Sequence, residues 1–183
     1  MGTRVIAAPL FTLVLGLPLQ AAASAPFEAP TLDALEPRLA DDAHRADANA
    51  RLVEVTDPLV GAPYVLNPLG EGDGADPDPR LRLDAFDCTT FVETGIAMSL
   101  SETGREVLPT LDRIRYRQAT PHFNNRRHFP EAQWLPDLIG MGVLEDVTRE
   151  VAGPQAEVAT KTLDLAAWDK RKRPILADLD RDV

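Results

Sequence analysis

Apolar residues in this chain keep a helical period over some stretches and lose all period in others. Residues 31–56, TLDALEPRLADDAHRADANARLVEVT, set Leu32, Leu35, Leu39, Ala43, Ala46, Ala50 and Val53 at mixed helical spacing. That pattern predicts mostly helix, offset or restarted at Pro37, with His44 on a solvent-facing side. Residues 57–84 break the pattern with Pro58, Pro63, Pro68, Pro77, Pro79 and four glycines, which predicts a long loop tipped by EGDGADPDP. Helical period returns over residues 88–100, where Cys88, Phe91, Val92, Gly95 and Ile96 fall on one face. Asp87 and Thr89 are both N-cap types there, Thr90 and Glu93 have capping-box spacing, and Gly104 closes the stretch. A second helix is expected over residues 107–116, then a loop, TPHFNNRRHFP, and a short helix over residues 130–141 bearing Trp134. GVLEDVT and EVATKTLDL are the strand candidates.

The first residues set the compartment. MGTR, the apolar run VIAAPLFTLVLGLPLQ and the small residues AAASA predict a secretory signal peptide over residues 1–23, cut after Ala23. The run is broken by Pro9, Gly16 and Pro18 and falls short of the ~20 apolar residues of a bilayer span. No cysteine follows the cut to take a lipid anchor. The expectation is a secreted protein without a membrane span, most simply in a bacterial periplasm. The remaining 160 residues suit one domain, and the net charge of −10 becomes −11 with the loss of Arg4. Such an acidic chain is repelled by nucleic acid and anionic lipid, and Lys170–Arg173 reads as a solvated patch.

Cys88 is the only cysteine. It has no intrachain disulfide partner, and structural zinc sites take several Cys or His ligands at close spacing. His122 and His128 lie six residues apart, outside the spacing of a metal pair on one helix face, so no metal or cofactor is expected. The acidic loop tip lacks the spacing of a calcium loop, and its carboxylates would repel phosphate, so it reads as a surface turn. Two readings of Cys88 remain, a small buried residue or a nucleophile. A cysteine in the first turn of a helix meets unpaired N–H groups that favour the thiolate, and the amide of the next residue, Thr89, can support an oxyanion. Of the histidines, His128 sits among Arg126, Arg127 and Phe129, either in an anion-facing pocket or in a surface loop of paired arginines.

The blocks GAPYVLNPLGEG, RLDAFDCTTFVET and RIRYRQ…NNRRHF…QWLPDLIGMGVLEDVT, in that order over residues 61–148, resemble a bacterial family described as N-acetylmuramoyl-L-alanine amidase-like. That family is a branch of the papain-like cell-wall cysteine peptidases and amidases typified by NlpC. The resemblance implies an α+β, papain-like fold, with N-terminal helices over residues 24–60 and an amidase domain over residues 61–183. In that fold the cysteine-bearing helix packs on an antiparallel sheet. It assigns the nucleophile to Cys88 and places Arg126, His128, Phe129 and Trp134 in the cleft or its walls. Tyr64, Arg115, Arg126, Arg127 and Trp134 form the expected substrate-binding set, because an arginine fork pairs bidentately with stem-peptide carboxylates.

The family's general base is a histidine on a downstream strand, and no histidine follows His128 here. The chain therefore reads as a C-terminally shortened member with an incomplete sheet, in which either His128 is the base or the base is missing. The implied activity is cysteine-dependent hydrolysis of a peptidoglycan amide bond, as an amidase or a stem-peptide endopeptidase, with stem peptides or muropeptides as partners. The alternative is a catalytically incomplete remnant or wall-binding protein.

Overall fold

The computed structural model describes residues 26–42, 46–157 and 159. The predicted N-terminal helical region forms two helices, α1 (Leu32–Leu39) and α2 (Ala48–Thr56). Each has its own start signal. The Thr31 hydroxyl accepts from the Ala34 amide, and the Asp47 carboxylate accepts from the Asn49 and Ala50 amides. Pro37 sits inside α1. Ala43, His44 and Arg45, between the two helices, lie outside the described residues. Arg51 of α2 is buried and donates to the carbonyls of Arg38 at 2.5 Å and Leu39 at 2.6 Å, so a side chain of α2 satisfies the open end of α1.

α3 (Cys88–Ser99) and α4 (Gly104–Arg115) pack against each other, α2 packs on α3, and α1 packs on α4. Leu35, Leu39, Val55, Ile96, Met98, Val107, Leu111 and Ile114 form the core between them. Gly95 allows the close approach of α2: a Cβ there would lie 2.7 Å from the Thr56 Cγ2. Gly104 opens α4 instead of closing the helix before it, and its amide donates to the Glu36 carboxylate of α1 at 2.7 Å.

The face of α3 differs from the one its spacing predicts. Cys88 and Val92 are exposed, while Thr90, Glu93, Thr94 and Ala97 turn inward. Glu93 is drawn in by Arg115 of α4, whose Nε lies 3.1 Å from its carboxylate, with both side chains buried. Burial pushes the Glu93 carboxyl up to about 7, against the opposing pull of the Arg115 and Arg126 guanidinium groups.

Residues 57–84 run as irregular chain after a 3-10 turn at Asp57–Leu59, as the prolines and glycines predict. The acidic tip is not wholly a surface turn, however. Glu71 and Asp76 are buried and both bind Arg126, from Nε to Glu71 at 2.8 Å and from Nη2 to Asp76 at 2.8 Å. Gly70 sits where a Cβ would collide with the Asp76 backbone, so only glycine lets the loop fold back on itself.

No strand or sheet occurs among the described residues; the pairings are isolated bridges, Tyr64 with Phe86, Asp73 with Asp76 and Tyr116 with Arg126. The α+β, papain-like expectation of a cysteine helix packed on an antiparallel sheet is therefore overturned, because α3 packs on helices. The strand candidate GVLEDVT shows why. Gly142 takes φ +70°, and the amides of Val143 and Leu144 both donate to the Leu138 carbonyl, so the segment ends a helix. Val143 and Leu144 pack back against the core, which accounts for their apolar character. The other candidate, EVATKTLDL, falls almost entirely outside the described residues, as do the expected signal peptide, residues 1–23, and the basic run Lys170–Arg173.

The predicted helix over residues 130–141 forms as a widened π-type turn, Pro130–Trp134, running into α5 (Leu135–Gly140). A short α6 (Thr148–Ala152) follows.

Arg126→Ala is expected to lower unfolding stability by about 3 kcal/mol or more, because two buried carboxylates lose their cation; urea titration measures it. Glu93→Gln tests the buried acid. Its folded value lies above the ordinary 4.5, so its contribution is full below about pH 4.5 and is lost as pH rises through about 7. Relative to wild type, the variant should gain about 3 kcal/mol between roughly pH 4.5 and pH 8. A pH-independent difference between the two proteins would contradict the assignment.

Candidate active site

The start of α3 is fixed by one carboxylate. Asp87 is its N-cap: Oδ1 accepts from the Thr90 amide at 2.7 Å and the Thr90 hydroxyl at 2.9 Å, and the Asp87 amide donates back to that hydroxyl at 3.0 Å. The capping box is thus Asp87–Thr90, one turn earlier than the Thr90–Glu93 spacing suggests. Asp87 Oδ2 accepts from the amide of Asn67, a residue in the left-handed region at φ +53°. One side chain therefore begins the helix and ties the long loop to it.

Cys88 follows as the first helical residue, exposed and not in a disulfide. Its Sγ lies 4.0 Å from the Thr89 hydroxyl. The box uses the Thr90 N–H. The Cys88 and Thr89 amides precede the first residue that can find an acceptor within the helix.

Cys88 and Thr89 open on a cleft of about 390 Å³. Arg115 of α4, Arg126, Arg127 and His128 of the following loop, and Trp134 and Leu135 beyond them complete its wall. The structure thus brings together every residue that the sequence places in the cleft except Tyr64 and Phe129. Tyr64 is largely exposed and lines a neighbouring apolar groove of about 510 Å³ with Val60, Phe91 and Val92, which Cys88 also borders. His122 lies away from the cleft, with its Nδ1 accepting from the Asn124 amide.

The His128 ring is half-buried and packs on Phe123 with centroids 4.7 Å apart. Its Nε2 lies 2.7 Å from the Phe123 carbonyl. A carbonyl only accepts, so Nε2 carries the proton and Nδ1 is the basic nitrogen of the neutral ring. Burial lowers the His128 pKa; the Phe123 carbonyl raises it and the Arg126 and Arg115 charges lower it further. The ring is therefore neutral down to below its ordinary range of about 6.5.

The three arginines are not equivalent. Arg126 is held by Glu71 and Asp76. Arg127 donates from Nε to Asp137 at 2.6 Å and from Nη1 to the Arg113 and Ile114 carbonyls at the end of α4. Arg115 donates from Nη2 to the Leu69 carbonyl at 3.3 Å, while its Nη1 has no partner. The indole Nε1 of Trp134 is likewise buried and unpartnered.

Sequence reading missed Asp87 as a clamp, Asn67 as its second ligand, and Glu93. The signal for the first was present, since aspartate three residues before threonine at a helix start also fits a capping box. Glu93 carried none, because its partner lies 22 positions away. Among the described residues no group of three His, Cys, Asp or Glu side chains is placed to hold a metal ion, and no helix is long and apolar enough to cross a membrane.

A structure from Legionella pneumophila str. Philadelphia 1, assigned to the family DUF1460, is 25% identical to this chain with a TM-score of 0.54, over 68% of this chain and 45% of that one. A Bacteroides fragilis structure described as a candidate xylanase is 34% identical with a TM-score of 0.41, over 49% of this chain and 40% of that one. The chain spans less than half the length of either protein. No curated protein matches it. The family model described as N-acetylmuramoyl-L-alanine amidase-like matches residues 54–183, a span that takes in the whole cleft and most of the sequence. The chain belongs to the N-acetylmuramoyl-L-alanine amidase-like (AmiA-like) family.

Proposed function

We propose that the protein hydrolyses an amide bond of peptidoglycan with Cys88 as nucleophile. The observation that carries this reading is the exposed thiol of the only cysteine, held at the first turn of α3 on a cleft shared with a neutral, oriented histidine. The family description supports the substrate class. The leader-like first residues support a site of action outside the cytoplasm, in the periplasm.

In the reaction, Nδ1 of His128 takes the thiol proton and Cys88 Sγ adds to the amide carbonyl carbon. The Thr89 backbone N–H donates to the developing oxyanion. The C–N bond then breaks, the amine leaves with the proton from His128, and a thioester remains on Cys88. Water, deprotonated by the same nitrogen, attacks the thioester and releases the carboxylic acid and the free thiol. The Phe123 carbonyl does for the ring what a carboxylate or amide does in other triads: it fixes the tautomer and the orientation. Among the arginines, Arg115 holds the unused donor for a substrate carboxylate, since Arg126 and Arg127 are committed to protein partners. Tyr64, beside Cys88 in the apolar groove, and Trp134 in the cleft supply flat surfaces for the stem.

A second reading is a wall-binding protein that uses the same cleft without turnover. The two part on one assay. Cys88→Ala should abolish release of soluble fragments from purified murein, and His128→Ala should lower it by about 10²–10⁴-fold, the usual worth of a general base. Murein digestion undiminished in Cys88→Ala rules out the hydrolase; wild-type binding to murein without digestion supports the second reading. The fall in wild-type activity that comes from protonating His128 should lie below about 6.5, because burial lowers the pKa of its ring. Iodoacetamide should modify Cys88 faster in wild type than in His128→Ala. Equal rates would remove His128 from the role of base.

A further inference from the structure

Beneath the cleft lies a buried acid that the mechanism above does not use. Glu93 is one turn along α3 from Thr89, and its carboxylate is surrounded by groups from several elements. Arg115 approaches from α4, at 3.1 Å from Nε but off the line of a hydrogen bond. Trp134 approaches from the π-type turn. Its indole N–H is near enough to favour the ionised carboxylate, yet forms no closed hydrogen bond and has no other partner. Arg126, from the loop before that turn, adds positive charge, and Asp87, at the start of the same helix, adds negative charge. Arg127 and His128 are the other charged or titratable side chains of the cleft wall besides Cys88.

Two donors thus face one carboxylate in one cleft floor without closing a hydrogen bond on it, Arg115 Nε at 3.1 Å and Trp134 Nε1. Buried donors are left open at a cost comparable to a lost hydrogen bond, so such a cluster is uncommon in a finished core. The arrangement fits a network that closes and opens with the charge of the Glu93 carboxylate. Ionised, Glu93 draws in both donors through charge-assisted hydrogen bonds. Protonated, it has no charge and one fewer acceptor site to offer them.

We propose that Glu93 is a positioning residue: its ionised form orders the Trp134 indole and the Arg115 guanidinium at the floor of the cleft, and its protonated form releases them. The setting of the transition fits this role, because burial places the exchange of the Glu93 proton at about pH 7. The Pro130–Trp134 segment suits it as well. In this widened turn the Gln133 and Trp134 amides both use the Phe129 carbonyl, at 2.8 and 3.2 Å. Turns of that kind lack the tight, uniform ladder of an α-helix and often occur at functional sites. Only the consequence for turnover rests on the hydrolase reading; the movement of Trp134 does not.

The test therefore has two arms. In the first, the indole N–H resonance of Trp134 is followed by NMR against pH in the full chain, assigned by its absence in Trp134→Phe. It should titrate with a midpoint near pH 7 in wild type and not in Glu93→Gln. In the second, the pH profile of kcat/KM on a soluble muropeptide should lose a step of about tenfold between pH 6 and 8 in Glu93→Gln, the worth of one charge-assisted hydrogen bond. Trp134→Phe, which keeps the ring but not the donor, should move that step to higher pH, because an interaction favouring the ionised acid is gone. A Trp134 resonance that does not titrate near neutrality in wild type, or titrates unchanged in Glu93→Gln, overturns the proposal. If wild type shows no turnover, the hydrolase reading fails and the first arm still decides the role of Glu93.

Discussion

The Asp87 carboxylate is the constraint on which the rest of the molecule turns. It caps α3, so the helix begins at Cys88 and no later. It also holds the amide of Asn67, so the long loop before it is fixed to the same point. A single acceptor group thus sets where the thiol stands, which backbone amides remain open beside it, and how one edge of the cleft is drawn. Were the cap at Thr89, the next N-cap type in the sequence, the cysteine would lie outside the helix and its neighbouring amide would no longer belong to a helix start.

A second layer of polar contacts lets an irregular chain hold this geometry. Residues 57–84 have neither helix nor sheet to satisfy their backbone, apart from one short turn, and they depend on side chains from elsewhere. Arg126 clasps Glu71 and Asp76, Arg115 and Tyr116 hold the Leu69 and Gly70 carbonyls, and Arg80 pairs with Asp112 of α4. Most of these anchors come from α4 or from the loop that follows it. Burying so many charges raises stability little, since desolvation offsets attraction, but each pair leaves its partner stranded if broken. Their effect is specificity: the loop has one resting place, and that place is against the cleft.

The same logic divides the cleft arginines by task. Two are spent on architecture and one keeps a spare donor, although the sequence presents all three as equivalent cations. In the proposed reading the cleft serves amide hydrolysis in the cell wall, with Cys88 and His128 as its reacting groups.

The sequence by itself determined the local events. Start signals at Thr31 and Asp47, the helical period after Cys88, the proline-rich loop and the short helix bearing Trp134 all follow from residues within a few positions of one another. So did most of the cleft, because the Cys88 block and the Arg126–His128 block were conspicuous as chemistry before any fold was known. Only the tertiary structure decided what depends on distant partners. Glu93 looked like a helix-start residue until Arg115 drew it inward. The acidic loop tip looked like surface until Arg126 buried two of its carboxylates, and Val143 and Leu144 looked like strand until they folded back over the end of α5. In each case the local pattern recorded that a residue was apolar or charged. Which group would cover it was settled by a residue far along the chain, and spacing carries no information about that.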